Sequence, residues 1–123
     1  NPPVVVDETA CPQAAAAATI EGAAFDNNLL CIGEKEVFVV ASKADAFVKA
    51  MREKGAVELD RRAIEKLTEA AFTFEGEGKG CGRAHVKKDL LGKDASVLAA
   101  AAGWHVTGLN AAVSLSMSSP AVP

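Results

Sequence analysis

The chain has 123 residues, half of them apolar, and a formal net charge of −3. That length suits one domain, or one lobe of a larger one, burying roughly two-thirds of the surface its unfolded form exposes. The acidic balance leaves no electrostatic argument for nucleic acid or an anionic membrane as a partner. No apolar run approaches the roughly 18 residues needed to cross a bilayer, so a soluble chain without a membrane span is expected.

The opening Asn1-Pro2-Pro3 lacks an initiator methionine and the features of a signal peptide, which suggests an excised piece. Val4 to Val6 reads as a short buried strand closed by Asp7, Glu8 and Thr9. Pro12 suits the first turn of a helix, and Gln13 to Ala24 is Ala-rich, with Ile20 and small residues able to pack closely on a sheet. Asp26, Asn27 and Asn28 are three consecutive turn formers that break this helix near Phe25 and redirect the chain.

Leu29, Leu30 and Ile32 surround Cys31 with apolar neighbours, Gly33 permits close backbone approach, and Glu36 to Val40 has the composition of a buried strand. A cysteine at such a helix-to-strand junction lies where free backbone N–H groups are able to hold a developing negative charge, the setting of a nucleophile. It is equally the setting of a small buried hydrophobe, and on spacing alone that is the commoner role of a single cysteine.

Ser42 with Asp45 three residues on has the form of a capping box at the head of a helix over Lys43 to Lys54. That helix would bury Ala46, Phe47, Ala50 and Met51 and stop at Gly55. Val57 to Leu59 is a candidate brief strand. Asp60 caps a second helix over Arg61 to Phe72, with Ala63, Ile64, Leu67, Ala70 and Ala71 inward and Arg61, Arg62, Glu65, Lys66 and Glu69 in solvent.

The glycines at 76, 78, 80 and 82 alternate but match no nucleotide-binding pattern, and a flexible surface loop is the reading. Cys81 and His85 within it are a conceivable but poorly constrained Cys/His pair. Lys87 to Lys93 is a polar connection, Asp94 caps a last helix over Ala95 to Ala102, and Gly103 closes it. Residues 107–123 lack periodicity and read as weakly structured. Three widely spaced cysteines, Cys11, Cys31 and Cys81, with neither His85 nor His105 at ligand spacing, point to a reducing compartment and no metal site. Alternating strands and helices give an α/β class, a sandwich with a parallel or mixed sheet.

Two runs carry a more specific signal: NPPVVVDETA at 1–10, and GAAFDNNLLCIGEKEVFVV at 22–40 with Cys31 in its middle. They resemble the CoA-acylating aldehyde dehydrogenases of bacterial microcompartments, the propionaldehyde and acetaldehyde dehydrogenases of propanediol and ethanolamine degradation. Gly80-Cys81-Gly82 through His85, Lys88 and Asp89, and the helix up to Gly103, are similar to the same family. The resemblance covers residues 1–103, a partial catalytic domain of three-layer α/β sandwich type, and leaves 104–123 as a divergent tail.

The resemblance implies that Cys31 is the catalytic thiol, its backbone N–H part of the oxyanion site, with Asn27 and Asn28 as the scaffold of the bend. It implies NAD-dependent oxidation of a short-chain aldehyde to its acyl-CoA through a cysteine thioester, with coenzyme A as co-substrate. It further implies a homo-oligomeric, cytoplasmic enzyme associated with a microcompartment shell. The family's cofactor-binding domain and upstream oxyanion asparagine have no counterpart here, so the chain alone is expected to be inactive. A non-catalytic α/β module is the competing interpretation, and a water-dependent aldehyde dehydrogenase a third.

Overall fold

The computed structural model describes residues 2–75 and 83–105. Its first half is a strand–helix–strand–helix unit: β1 Val4–Val6, α1 Pro12–Ala24, β2 Val37–Val39 and α2 Ala41–Glu53. β1 and β2 pair in parallel, with Val4 opposite Val37, Val5 opposite Phe38 and Val6 opposite Val39. Because side chains alternate across a strand, Val4, Val6, Val37 and Val39 face the helices, where α1 lies against α2. Val6, Ala16, Phe47, Ala50, Met51 and Ala56 form the core of this unit.

The alanines of α1 explain its close approach to α2: Ala16 is fully buried, and a face of methyl groups lets two helix backbones come near. Thr19, also buried, returns its hydroxyl to Ala15 O at 2.8 Å, so it brings no unsatisfied group into the contact. Pro12 occupies the first helical turn, as its missing N–H allows.

Several sequence expectations are corrected here. The strand expected over 36–40 is shorter, Val37–Val39, and Phe38 is 59 % exposed, because nothing among the described residues covers the far face of the two-stranded sheet. Val5 opposite it is 72 % exposed for the same reason, so only Val6 of the first strand is buried. No capping box forms at Ser42 and Asp45. Val40 donates its N–H to Val6 O and accepts from Lys43 N–H, so α2 starts directly where strand pairing ends and Ser42 already lies inside the first turn. Ala46 is exposed rather than buried.

The end of α2 behaves as expected. Gly55 takes φ 95°, Gly55 N–H donates to Arg52 O and Ala56 N–H to Met51 O, a Schellman closure that a β-carbon at this φ would strain. Val57 to Leu59 forms no strand; Leu59 instead packs with Ala63 and Ala102 in a second, smaller cluster joined by Val57, Ile64 and Leu67.

Asp60 caps α3 Arg61–Ala71, accepting from Ala63 N–H at 2.7 Å. Phe72 does not extend this helix. It opens a hairpin absent from the sequence reading, β3 Phe72–Glu75 paired antiparallel with β4 Arg83–Val86. FTFE has the β-prone composition of a strand, but of RAHV only Val86 is β-prone, so the hairpin has no clear local signal on its second strand. That loop, with Cys81, lies outside the described residues, as does the tail from 106 onward. A 3-10 turn at Lys88–Leu90 leads to α4 Ala95–Ala101, which Gly103 closes at φ 83°. The class is α/β, with one parallel strand pair and one antiparallel hairpin among the described residues. No described helix is long and apolar enough to cross a membrane.

Candidate functional site

The site grows out of the C-terminus of α1. The last carbonyls of any helix lack intrahelical partners, and here the chain turns back on them through Asp26, Asn27 and Asn28, at φ 49°, 51° and 59°. Left-handed backbone costs an ordinary L-residue about 1–2 kcal/mol, and Asn and Asp are the non-glycine residues that best tolerate it. Three in succession need outside support.

The support comes from the asparagine side chains. Asn28 Nδ2 donates to Ala23 O at 2.6 Å and to Glu34 O at 3.0 Å, tying the final turn of α1 to the chain beyond Cys31. Asn27 Nδ2 donates to Gly92 O at 3.1 Å and to Asp94 Oδ1 at 2.9 Å, anchoring the bend to the loop before α4. Leu29 follows the same direction, its δ carbons lying where a β-carbon on Gly92 would touch them. The sequence expectation for Asp94 is therefore half right. It occupies the N-cap position and its backbone carbonyl accepts from Val97 and Leu98, but its carboxylate bonds Asn27 and makes no cap to α4.

Between these anchors lies a tight turn, in which Gly33 N–H donates to Leu30 O at 3.1 Å. Lys35 closes it from one side, its Nζ donating to the carbonyls of Gly33 (3.0 Å), Leu30 (3.3 Å) and Asn28 (3.4 Å). Gly33 is buried in this wrap, with the Asn28 amide and the Lys35 ammonium both at contact distance from where a β-carbon would sit. Cys31 is at the crest. It is exposed among the described residues and not enclosed by the packing of this segment. Among the described residues its backbone N–H has no acceptor. Around it Leu29, Leu30 and Ile32 are exposed too, Ile32 at 68 %, an apolar collar about a thiol.

The other candidates are not drawn into this arrangement. Cys11 is exposed at the head of α1, its thiol directed to Gln13 Oε1 at 3.5 Å. His85 on β4 faces Glu75 across the hairpin, Nε2 to Oε2 at 3.3 Å, and its imagined partner Cys81 is outside the described residues. No group of three His, Cys, Asp or Glu among the described residues could hold a metal ion. Sequence reasoning missed Lys35, Gly92 and Asp94 as supports of the bend. Lys35 sits between two glutamates with nothing local to mark it, while Gly92 and Asp94 are more than 60 residues from Asn27 and give no local signal.

Among the described residues, the β1-to-α1 connection offers no cradle for a nicotinamide dinucleotide. The β1-to-α1 connection, where a parallel strand–helix–strand unit would seat a pyrophosphate, is Asp7-Glu8-Thr9-Ala10-Cys11. It brings two carboxylates and no glycine to a position that needs close backbone approach and no negative charge.

Comparison with known proteins agrees with the sequence resemblance. The acetylating acetaldehyde dehydrogenase of Salmonella typhimurium (strain LT2) is 42 % identical over 107 residues, 86 % of this chain and 22 % of that protein. Among solved structures, the Rhodopseudomonas palustris propionaldehyde dehydrogenase with bound propionyl-CoA aligns with a TM-score of 0.75 at 36 % identity, covering 89 % of this chain and 23 % of that one. The same enzyme has been solved with bound CoA and an acylated cysteine. A propionaldehyde dehydrogenase from the Clostridium phytofermentans fucose utilisation bacterial microcompartment aligns with a TM-score of 0.73 at 38 % identity, over 87 % of this chain and 23 % of that one. No family model matches. The chain thus spans a little over a fifth of the length of these relatives.

Proposed function

We propose that this chain is a segment of the catalytic domain of a CoA-acylating aldehyde dehydrogenase, residues 1–103 forming the domain part and 104–123 a divergent tail, with Cys31 as its nucleophile. The observation that carries the reading is the exposed thiol on a tight turn that follows a braced left-handed bend, within a segment similar to enzymes of which one carries an acylated cysteine.

The chemistry suits sulfur. A thiolate attacks an aldehyde carbonyl to form a C–S bond, the carbonyl pair moves to oxygen, and in this reading the backbone N–H of Cys31 stabilises that oxyanion. The apolar collar of Leu29, Leu30 and Ile32 would help keep water from the adduct once the rest of the enzyme covers it. Oxidation of the adduct to a thioester needs a hydride acceptor, which in this reading is NAD. No residue described here is assigned to it. Coenzyme A then takes the acyl group by thiol exchange, for which a thioester on cysteine is a suitable donor.

The three-layer sandwich belongs to this reading as well. Val5 and Phe38 are opposite one another on the outer face of the β1–β2 pair and both exposed, the pattern of a sheet meant to be covered on two sides. A homo-oligomeric enzyme, cytoplasmic and housed with a microcompartment shell, follows from the same resemblance.

The test uses the full-length protein that carries this segment, supplied with propanal, NAD and CoA. It should form NADH and propionyl-CoA in a CoA-dependent manner, Cys31→Ser should abolish both, and iodoacetamide should label Cys31 faster than Cys11. Activity that survives Cys31→Ser would end the proposal.

A further inference from the structure

We infer that Lys35 is a positioning residue for the Cys31 turn: its ammonium, wrapped by the carbonyls of Asn28, Leu30 and Gly33, aims the backbone N–H of Cys31 at the oxyanion of the reaction. The inference rests on the reading of Cys31 as the nucleophile and adds a residue to which the sequence alone assigned no role.

An ammonium has three N–H groups and no acceptor. Those of Lys35 are directed at three main-chain oxygens 3.0 to 3.4 Å away, and among the described residues Lys35 makes no ion pair, although glutamates flank it on both sides. Its charge is committed to the turn, and hydrogen bonds from a charged donor are the strong kind. Leu30 O is held twice, by Lys35 Nζ and by Gly33 N–H at 3.1 Å.

The peptide joining Leu30 to Cys31 is trans and planar, so its C=O and N–H point in opposite directions. With the carbonyl drawn inward by two donors, the N–H of Cys31 is turned outward on the side away from Lys35. Without those donors the peptide plane is free to rotate, and the N–H loses its fixed direction. Preorganised donors of this kind matter because they need no reorganisation as charge develops.

The experiment compares two reactions of the same thiol on the full-length protein that carries this segment. Alkylation by iodoacetamide is a displacement at carbon that develops no oxyanion. Acylation by p-nitrophenyl acetate proceeds through one: sulfur bonds to the carbonyl carbon, the carbonyl pair moves to oxygen, and the returning pair breaks the C–O bond to release p-nitrophenolate. Both are read by mass spectrometry at Cys31, with Cys11 as internal reference and circular dichroism as a check on folding.

In the wild-type chain Cys31 should show a higher acylation-to-alkylation ratio than Cys11. Lys35→Met should lower that ratio at Cys31 about tenfold, less than the hundredfold or more that full removal of an oxyanion donor costs, since the N–H is misdirected and not lost. Alkylation of Cys31, and both reactions of Cys11, should change less than about twofold. Lys35→Gln keeps part of the donor set, should fall less far, and decides the matter by the same criterion if Lys35→Met loses its fold. An unchanged ratio, or a parallel fall in both reactions, overturns the role of Lys35. A wild-type ratio at Cys31 no higher than that of Cys11 overturns the nucleophile reading beneath it.

Discussion

Asn28 offers the sharpest perturbation of the bend. Replacing it with alanine removes two hydrogen bonds, to Ala23 O at 2.6 Å and Glu34 O at 3.0 Å, each contributing about 0.5–1.5 kcal/mol. The alanine must also hold φ 59°, a conformation that Asn tolerates and Ala does not, at roughly 1 kcal/mol more. The sum is about 3 kcal/mol for Asn28→Ala. With a urea slope near 1.5 kcal/mol per molar, the unfolding midpoint of the chain falls by about 2 M. Asn28→Gly separates the two causes, because glycine accepts the left-handed backbone while lacking the amide, and should recover about 1 kcal/mol of the loss. Urea unfolding followed by circular dichroism gives all three midpoints. A midpoint for Asn28→Ala equal to wild type, or one for Asn28→Gly below that of Asn28→Ala, would refute the reasoning.

Two further predictions test the surroundings. Asp60→Ala removes the cap on Ala63 N–H and should cost about 1 kcal/mol in the same unfolding assay, whereas Asp94→Ala should leave α4 uncapped as before and act through Asn27 instead. The Thr9 hydroxyl, and next its backbone N–H, hold the Asp7 carboxyl below its usual 3.8. A lowered folded-state value means that the small stabilisation is present above the unfolded value and lost as pH falls through the folded one. An NMR titration should therefore place Asp7 below 3.8, and Thr9→Ala should bring it back towards that value.

The elements legible in the sequence are those whose cause is local. Pro12 and the alanine run specify α1, Gly55 and Gly103 stop their helices through a positive φ, and Asp60 caps α3, because each acts on a backbone group a few residues away. The break at Asp26, Asn27 and Asn28 is of the same kind. Local rules failed where a stronger partner was remote. The Ser42–Asp45 pattern is overridden because Val40 takes its register from Val6, and Phe72 leaves α3 because β4 offers it a ladder.

By itself, then, the sequence determined the α/β class, the kink after α1, and Cys31 as the residue on which a resemblance could be hung. It could not say whether that thiol was enclosed or open, since exposure is set by everything that packs nearby. Only the tertiary structure decided that Cys31 stands exposed, that Asn27 reaches Gly92 and Asp94, and that Lys35 gathers three carbonyls beneath the turn. The reason is physical. A hydrogen bond between residues 65 apart leaves no mark on either neighbourhood in the chain, and a lysine bound to carbonyls has the same local sequence as one bound to water.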